Sequence, residues 1–328
     1  MNVGRFTKKA VHIFAMFFAM GMLSHALAQS PYPERPIRLI VPFTPGGGTD
    51  AIARSLGERL GETLGTTVVI ENRPGAGSTI GSDAVARSKP DGYTLLLAST
   101  AHVINPTLMP HLPYDTGKAF SAVALVGKAP NVIIVRPDSP LKSFADLIQS
   151  AKSAPGKLTY GSSGNGTAVH LAAEMLSRQA EISLTHVPYK GAGAAFNDLM
   201  GGQINMLFAT ASAVAPAVRR GQVRALALTV PKRSAAWPGV PTVAESGYPD
   251  YAAEVWYAIY AAAGTPPEIV ERLNKGINNA IQSPEFKRRT ESEGLQSPIL
   301  TPAQAEAFTA EELEKWSKIV KQANVHNG

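Results

Sequence analysis

Apolar and polar positions alternate between two periods along this chain, and the alternation restarts halfway. Ile37 to Val41 is a short continuous apolar run of the kind that forms a buried strand. Pro42 to Gly48 breaks it. From Asp50 to Leu64 the apolar positions Ile52, Leu56, Leu60 and Leu64 recur at helical spacing. Thr67 to Ile70 reads as the next strand, Glu71 to Gly81 as a Gly/Pro loop, Val85 and Ala86 as part of a short helix, and Thr94 to Ala98 as a third strand. Strand, helix, strand, helix, strand predicts a parallel sheet covered on both faces.

The same pattern then begins again. Val132 to Val135 is a strand, and Ser143 is placed to cap a helix reaching about Ala151. Leu158 to Tyr160 is a strand that ends in Gly161-Ser162-Ser163-Gly164-Asn165-Gly166, and Ala168, Leu171, Ala172, Met175 and Leu176 then form one helical stripe. Thr185 to Val187, Gly191 to Met200, Ile204 to Phe208 and Val223 to Thr229 continue as strand, helix, strand and further α/β alternation. A Pro- and Gly-rich connection spans Pro231 to Tyr251, Val255 to Ala261 returns as an apolar strand, and the rest is helical with breaks at Pro284 and Pro302. Phe308, Leu313, Trp316 and Val320 mark the last helix as amphipathic, and Trp256 and Trp316 are expected in packing. This predicts two α/β lobes, one of them discontinuous: 29–128 plus 251–328, with 129–250 inserted and two chain crossings acting as a hinge. Two independent domains in series is the alternative.

The N-terminus bears on compartment. Arg5, Lys8 and Lys9 precede an eleven-residue apolar run from Ile13 to Leu23, and Ser24-His25-Ala26-Leu27-Ala28 follows with small residues at the A-x-A positions. That is the layout of a secretory signal peptide, residues 1–28, cleaved near Ala28/Gln29, and the predicted location is the periplasm. The run is short of the about 20 residues that a membrane-spanning helix needs. Cys is absent, so stability in an oxidising compartment has to come from buried apolar surface. The first 28 residues hold three positive charges and no negative one, leaving +3 of the overall +6 for the remainder. That is too mild and too scattered for a nucleic-acid surface.

Candidate chemistry sits in two turns of one design. Each follows a strand, is rich in Gly and hydroxyls, and opens a helix: Pro42-Phe43-Thr44-Pro45-Gly46-Gly47-Gly48-Thr49-Asp50 in the first unit, and Gly161-Ser162-Ser163-Gly164-Asn165-Gly166-Thr167 in the second. The unpaired N–H groups and partial positive charge of a helix N-terminus attract anions, and Gly lets backbone approach an oxygen closely. Two such turns facing each other would hold opposite ends of a small anion. No Arg or Lys lies in either.

Four ordered segments resemble one family: the Pro42–Asp50 turn; Glu71-Asn72-Arg73-Pro74-Gly75-Ala76-Gly77; the Gly161–Thr167 turn with His170-Leu171 and Glu174; and Val187-Pro188-Tyr189-Lys190-Gly191. Together they resemble the Bug family, extracytoplasmic receptors similar to those of tripartite tricarboxylate transporters, over essentially the whole mature chain. The resemblance implies a type II periplasmic-binding-protein fold, no enzyme activity and no cofactor. The implied ligand is a small carboxylate: a di- or tricarboxylate, an acidic amino acid or an aromatic acid. It also implies docking to integral-membrane transporter subunits, with a sensor kinase as the other possible partner, and a monomer. Carried over position by position, it puts Thr44, Gly46, Gly47 and Thr49 in the first carboxylate loop and Ser162, Ser163, Gly166 and Thr167 in the second.

Single residues carry two readings each. Asp50 accepts a ligand ammonium or serves as the acid that complements its helix dipole. Thr100 to His102 stands where a ligand-lining loop belongs, with His102 itself read as packing or surface. Tyr189 lines the cleft or packs at a hinge, and Thr210, within Ala209–Ser212, offers a third wall. Asn72 and Arg73 gate the cleft or are structural. His170 and Glu174 have a zinc-compatible spacing but no evident third ligand, so no metal is expected.

Two enzyme classes compete. Gly46-x-Gly48-x-x-Ala51 with Glu71 at the end of the next strand is a passable dinucleotide fingerprint, although Pro42 and Pro45 stiffen the turn and export removes the chain from cytoplasmic cofactors. For a hydrolase, no Ser sits in Gly-x-Ser-x-Gly.

Overall fold

The computed structural model of the protein describes residues 32–291 and 293–323, so the predicted leader, residues 1–28, lies outside the described residues. Two five-stranded sheets organise the chain. In the first, β1 (Ile37–Val41), β2 (Val68–Asn72) and β3 (Thr94–Ser99) run parallel. β10 (Val255–Ala262) and β4 (Phe120–Ala129) complete the order β2-β1-β3-β10-β4. In the second, β6 (Thr159–Ser162), β7 (Thr185–Pro188) and β8 (Met206–Thr210) are parallel. β5 (Asn131–Val135) and β9 (Arg224–Leu228) extend it to β7-β6-β8-β5-β9.

The expected parallel arrangement holds for β1, β2 and β3, but neither sheet is parallel throughout: β10 is antiparallel to β3 and β4, and β5 is antiparallel to β8 and β9. The physical reason is the route of the chain. Strands β1, β3 and β4 all end on the side facing the other sheet, and the chain leaves β4 there at Ala129 and starts β5 at Asn131. A strand entered from that side has to run back against its neighbours. The same happens on return, where Val255 begins β10 beside Ala129. Each sheet therefore owes its antiparallel fourth strand to the chain arriving from the other lobe.

Helices cover both sheets: α1 (Gly48–Leu64), α2 (Thr79–Ala86), α3 (Ala101–Leu108), α4 (Phe144–Ser153), α5 (Ala168–Gln179), α6 (Ala192–Met200), α7 (Ala211–Arg219), α8 (Pro267–Gln282), α9 (Pro284–Glu291) and α10 (Pro302–Ala323). The expected breaks at Pro284 and Pro302 are present. Ser143 caps α4 as a capping box, its Oγ accepting from Asp146 N at 3.1 Å while Asp146 Oδ2 accepts from Ser143 N at 2.9 Å. Three elements had no expectation: the strand β4, and the helices α3 and α7, which hold Pro106 and Pro216 internally. What was expected as a loop at Thr100–His102 is the start of α3.

Alternation along β5 shows how the second lobe fills. Ile133 and Val135 point into one apolar layer with Leu147, Tyr160, Leu176 and Phe208, while Val132 and Ile134 point into the other with Leu199, Leu207, Val214 and Trp237. In the first lobe Trp256, Ala258 and Tyr260 pack under α3 and α10 with Val103, Ile104, Leu108, Trp316 and Val320. That layer also takes in Ala168 and Leu171 of α5, an element flanked by strands of the second sheet. Leu171 is fully buried there, a burial of about 1.5–3 kcal/mol.

Where the two crossings run side by side, a buried polar knot joins them. Asn131 N donates to Thr229 Oγ1 at 2.9 Å, and Thr229 N donates to Asn131 O at 3.0 Å. Thr229 Oγ1 and Asn131 Nδ2 both donate to Ala253 O, at 2.8 and 2.7 Å. Asn131 and Thr229 are fully buried.

Candidate functional site

The strand ends on the facing edges of the two sheets set the site. β1 ends at Val41, and the turn that follows delivers the N-terminus of α1. Gly46 takes φ +81°, a left-handed conformation that favours Gly, and Gly47 is the N-cap in an extended conformation with no side-chain cap. The N–H groups of the first turn of α1 therefore lack intrahelical and capping partners. Thr44, Gly46 and Gly47 are exposed and Thr49 is half-buried.

Asp50 braces this turn. Its Oδ2 accepts from Gly46 N at 3.0 Å and Arg54 Nε at 2.9 Å, and its Oδ1 accepts from Arg54 Nη2 at 3.1 Å and Asn72 Nδ2 at 2.9 Å. Burial pushes the carboxyl up, but the bonds from Arg54, Gly46 and Asn72 outweigh it and hold the group below the usual carboxylate range. Four donors fill its acceptor sites and its side chain is 4% exposed, so the expectation of a ligand contact gives way to one of a loop brace. Asn72 also donates to Phe43 O at 3.1 Å, a structural role. Glu71, the acid of the dinucleotide pattern, is bound by Arg38 at 2.7 Å and Arg73 at 2.5 Å, which leaves it unsuited to a ribose.

The second turn is held from beneath by a stack of rings. Ser162 Oγ meets His186 Nε2 at 2.7 Å, and accepts from Gly164 N at 3.1 Å. His186 stacks on His170 with centroids 3.9 Å apart at 10°, and Tyr160 stacks on His186 at 4.8 Å. His170 Nδ1 accepts from Gly166 N at 3.0 Å; Tyr160 donates to Glu174 Oε1 at 2.6 Å, which lies 3.7 Å from His170 Nε2. Burial, with His186 adding to it, lowers His170 to about 3, and burial lowers His186 to about 4. Both rings are neutral at ordinary pH, as an acceptor for Gly166 N–H requires. Ser162 is fully buried and committed to the frame, while Ser163 is half-buried and Thr167 is the N-cap of α5, accepting from His170 N and donating to Gly164 O at 2.8 Å. Tyr189 lies against Gly161, and its hydroxyl donates to Asp198 Oδ2 at 2.8 Å; burial and that bond push it up to about 12. Thr100 is fully buried, accepting from Trp256 N at 3.0 Å, so its expected place on the cleft wall is corrected to a link between α3 and β10.

Across the seam the lobes touch at two glycines. A Cβ on Gly48 would lie 1.9 Å from Ser212 Oγ and 2.7 Å from Ser212 Cβ, with Thr210 Oγ1 at 3.6 Å. A Cβ on Gly166 would lie 1.8 Å from Leu108 Cδ2. The N-terminus of α1 thus abuts that of α7, whose N-cap Thr210 also makes no side-chain cap; its Oγ1 lies 3.1 Å from Ser212 Oγ. Beside α3, Gly75, Ala76, Gly77 and Ser78 form a run of positive φ held by Asn105, which donates to Gly77 O at 2.8 Å. Two of those four are not glycine, strain of the kind that persists where surroundings over-determine the backbone. Leu108 and His186 are the contributors that no local pattern pointed to, whereas Ser212 falls within the expected Ala209–Ser212 wall.

Residues 52–325 match the model of the tripartite tricarboxylate transporter family receptors. The chain belongs to that family. BugT of Bordetella pertussis is 38% identical over 312 residues, 94% of this chain and 96% of that protein. The solved periplasmic binding protein BugD shares 35% identity with a TM-score of 0.83 over 90% of this chain and 100% of its own. MatC of Rhodopseudomonas palustris, solved with bound malate, shares 31% with a TM-score of 0.80 over 88% and 100%. The receptor is therefore a solute-binding protein of the two-lobed periplasmic type and not an enzyme. Among the described residues, no group of three His, Asp or Glu comes together as a metal set, and no helix is long and apolar enough to cross a membrane.

Two outcomes follow from the histidines. His170→Leu leaves Gly166 N–H buried without an acceptor, a loss of about 1–3 kcal/mol, and ligand affinity measured by calorimetry falls roughly tenfold, while His170→Asn, whose Oδ1 can stand near the place of Nδ1, recovers most of it. His102 is buried against Phe120 and Tyr260, with both ring nitrogens unpaired, and burial lowers it to about 3. A depressed histidine keeps its proton off in the folded state while the unfolded chain takes one up below its ordinary value of about 6.5. Stability is therefore full above that value and falls by about 1.4 kcal/mol per pH unit for each such histidine as pH drops towards 4. Denaturant midpoints of His102→Leu should fall less steeply with acid than those of the native protein.

Proposed function

We propose that this receptor, exported to the periplasm with cleavage near Ala28/Gln29, closes its lobes over a small carboxylate-bearing solute. It then yields the solute to the membrane subunits of a tripartite tricarboxylate-type transporter. The observation that carries this reading is the meeting of two uncapped helix N-termini, α1 at Gly48 and α7 at Thr210, across the seam. The N–H groups left unbonded there and the partial positive helix ends suit a carboxylate, and the malate bound in MatC is a carboxylate. We take the lobes as 29–128 plus 251–328 and 129–250, a division supported by each sheet drawing its strands from one of them. Thr44, Gly46, Gly47 and Thr49 contact the ligand from the first lobe, and Ser163, Gly166, Thr167 and Thr210 from the second. Asp50, Thr100, Ser162 and Tyr189 hold the frame.

The test is a thermal-shift screen of the mature protein, refolded to strip carried-over ligand, against mono-, di- and tricarboxylates, acidic and aromatic acids, and NAD. At a hundred times its dissociation constant a ligand adds about 2.7 kcal/mol. A shift confined to one carboxylate class names the solute. Silence from all carboxylates with a response to NAD sinks the receptor mechanism.

A further inference from the structure

Glu293 follows α9 and sits on the seam between the lobes. Its own side is the first lobe: Gln296, three residues on, exchanges backbone hydrogen bonds of 2.8 and 2.9 Å with Lys128 of β4. Opposite stand groups of the inserted lobe. Trp237 Nε1 donates to Glu293 O at 3.4 Å, and Ser234 and Trp237 lie where a Cβ on Gly294 would meet them. The Oε2 of Glu293 is sealed from water and has no hydrogen-bond partner. Of charged and titratable groups, Arg219 at the end of α7 and Tyr257 of β10 face the carboxyl. Arg288 and Arg289, on the preceding helix, are taken by Glu285 and Glu58. Tyr257 in turn lies against Ser212, the residue that meets Gly48.

We propose that closing this receptor takes up one proton on Glu293, so that the ligand is held more tightly as pH falls. The proposal rests on the receptor reading above and adds its regulation. A carboxylate with one oxygen sealed and no donor to it is costly while charged and cheaper once protonated. Burial raises Glu293 to about 7, against the pull of Arg219. Opening withdraws Trp237, Ser234 and Arg219 and returns the carboxyl to water, where it titrates as an ordinary Glu near 4.3. Between these two values the closed form holds a proton that the open form does not. Closure is therefore favoured as pH drops through 7, and affinity rises roughly tenfold from pH 8 to pH 6.

Calorimetric titration of the mature protein with disodium malate, in buffers of different ionisation enthalpy, counts the proton directly. The expected result is about half a proton taken up at pH 7, and little at pH 9. Glu293→Gln should take up none and bind with an affinity flat across that range. Arg219→Gln, which removes the opposing cation, should move the midpoint to higher pH, and it serves if the first variant does not fold. Zero uptake in the native protein overturns the proposal, as does a Gln variant with unchanged pH dependence. If malate does not bind, the ligand class is at fault, and the proton is then read without ligand. Small-angle scattering should find the native protein more compact at pH 6 than at pH 8 and the Gln variant indifferent, and a native protein indifferent to pH overturns the proposal.

Discussion

Gly48→Ala is expected to cost the receptor most of its ligand affinity while leaving the ligand-free protein as stable as before. Gly48 is the first residue of α1 and is not one of the positive-φ glycines, so Ala suits its backbone and lowers the entropy of the unfolded chain. Within its own lobe, therefore, the substitution is neutral or stabilising, by up to about 1 kcal/mol. Closure changes the sign. The new methyl would lie 2.7 Å from Ser212 Cβ, an atom that no side-chain rotation moves away. Wedging a methyl into a packed contact costs about 1–3 kcal/mol, which is roughly 5- to 150-fold in affinity. The measurements are a melting curve without ligand and a calorimetric dissociation constant with it. Ser212→Gly removes the opposing Cβ, so the pair Gly48→Ala with Ser212→Gly should regain affinity. Unchanged affinity in the single variant would mean that the lobes bind ligand without this contact.

That pair also marks the limit of what the sequence makes legible. Ile37–Val41 and Val255–Ala262 announce themselves as strands because buried strands need unbroken apolar runs, and the stripe from Ala168 to Leu176 announces a helix. Phe120–Ala129 does not, because Gly127, Lys128 and small alanines dilute the pattern in a strand that its neighbours nevertheless bury. Strand direction is invisible to periodicity. Whether β10 runs parallel depends on which side the chain re-enters, a property of the route and not of the strand. The two Gly-rich turns are visible because close backbone approach requires glycine and helix starts favour hydroxyls. What those hydroxyls do is not visible, since Ser and Thr accept backbone N–H groups as readily as they bind ligand oxygens. Thr100 and Ser162 were spent on the frame in this way, and Asp50 on Gly46, Arg54 and Asn72. His170 and His186 meet only because β6 and β7 pair in a register that sets Tyr160 beside His186.

The hinge carries the second large effect. Thr229→Val keeps the shape of a fully buried side chain and removes only its hydroxyl. Thr229 Oγ1 has one proton, which the nearer acceptor Ala253 O takes at 2.8 Å, and it accepts from Asn131 N at 2.9 Å. Valine leaves Asn131 N–H sealed with no acceptor, for about 1–3 kcal/mol, and strips one of two side-chain donors from Ala253 O. The expected loss is about 2 kcal/mol of unfolding free energy, read as a lower denaturant midpoint at unchanged slope, with Thr229→Ser close to the native protein. Because Asn131 and Ala253 lie where the two crossings pass between the lobes and Thr229, just after β9, bonds to both, the loss extends beyond stability. With Ala253 O tied less firmly, the crossings shift more freely against each other, and small-angle scattering of the ligand-free protein should report a broader spread of openings. A Thr229→Val protein as stable as the native one would show that the crossings are held by the packing of α5 on α10, and that the polar knot only fills space between them.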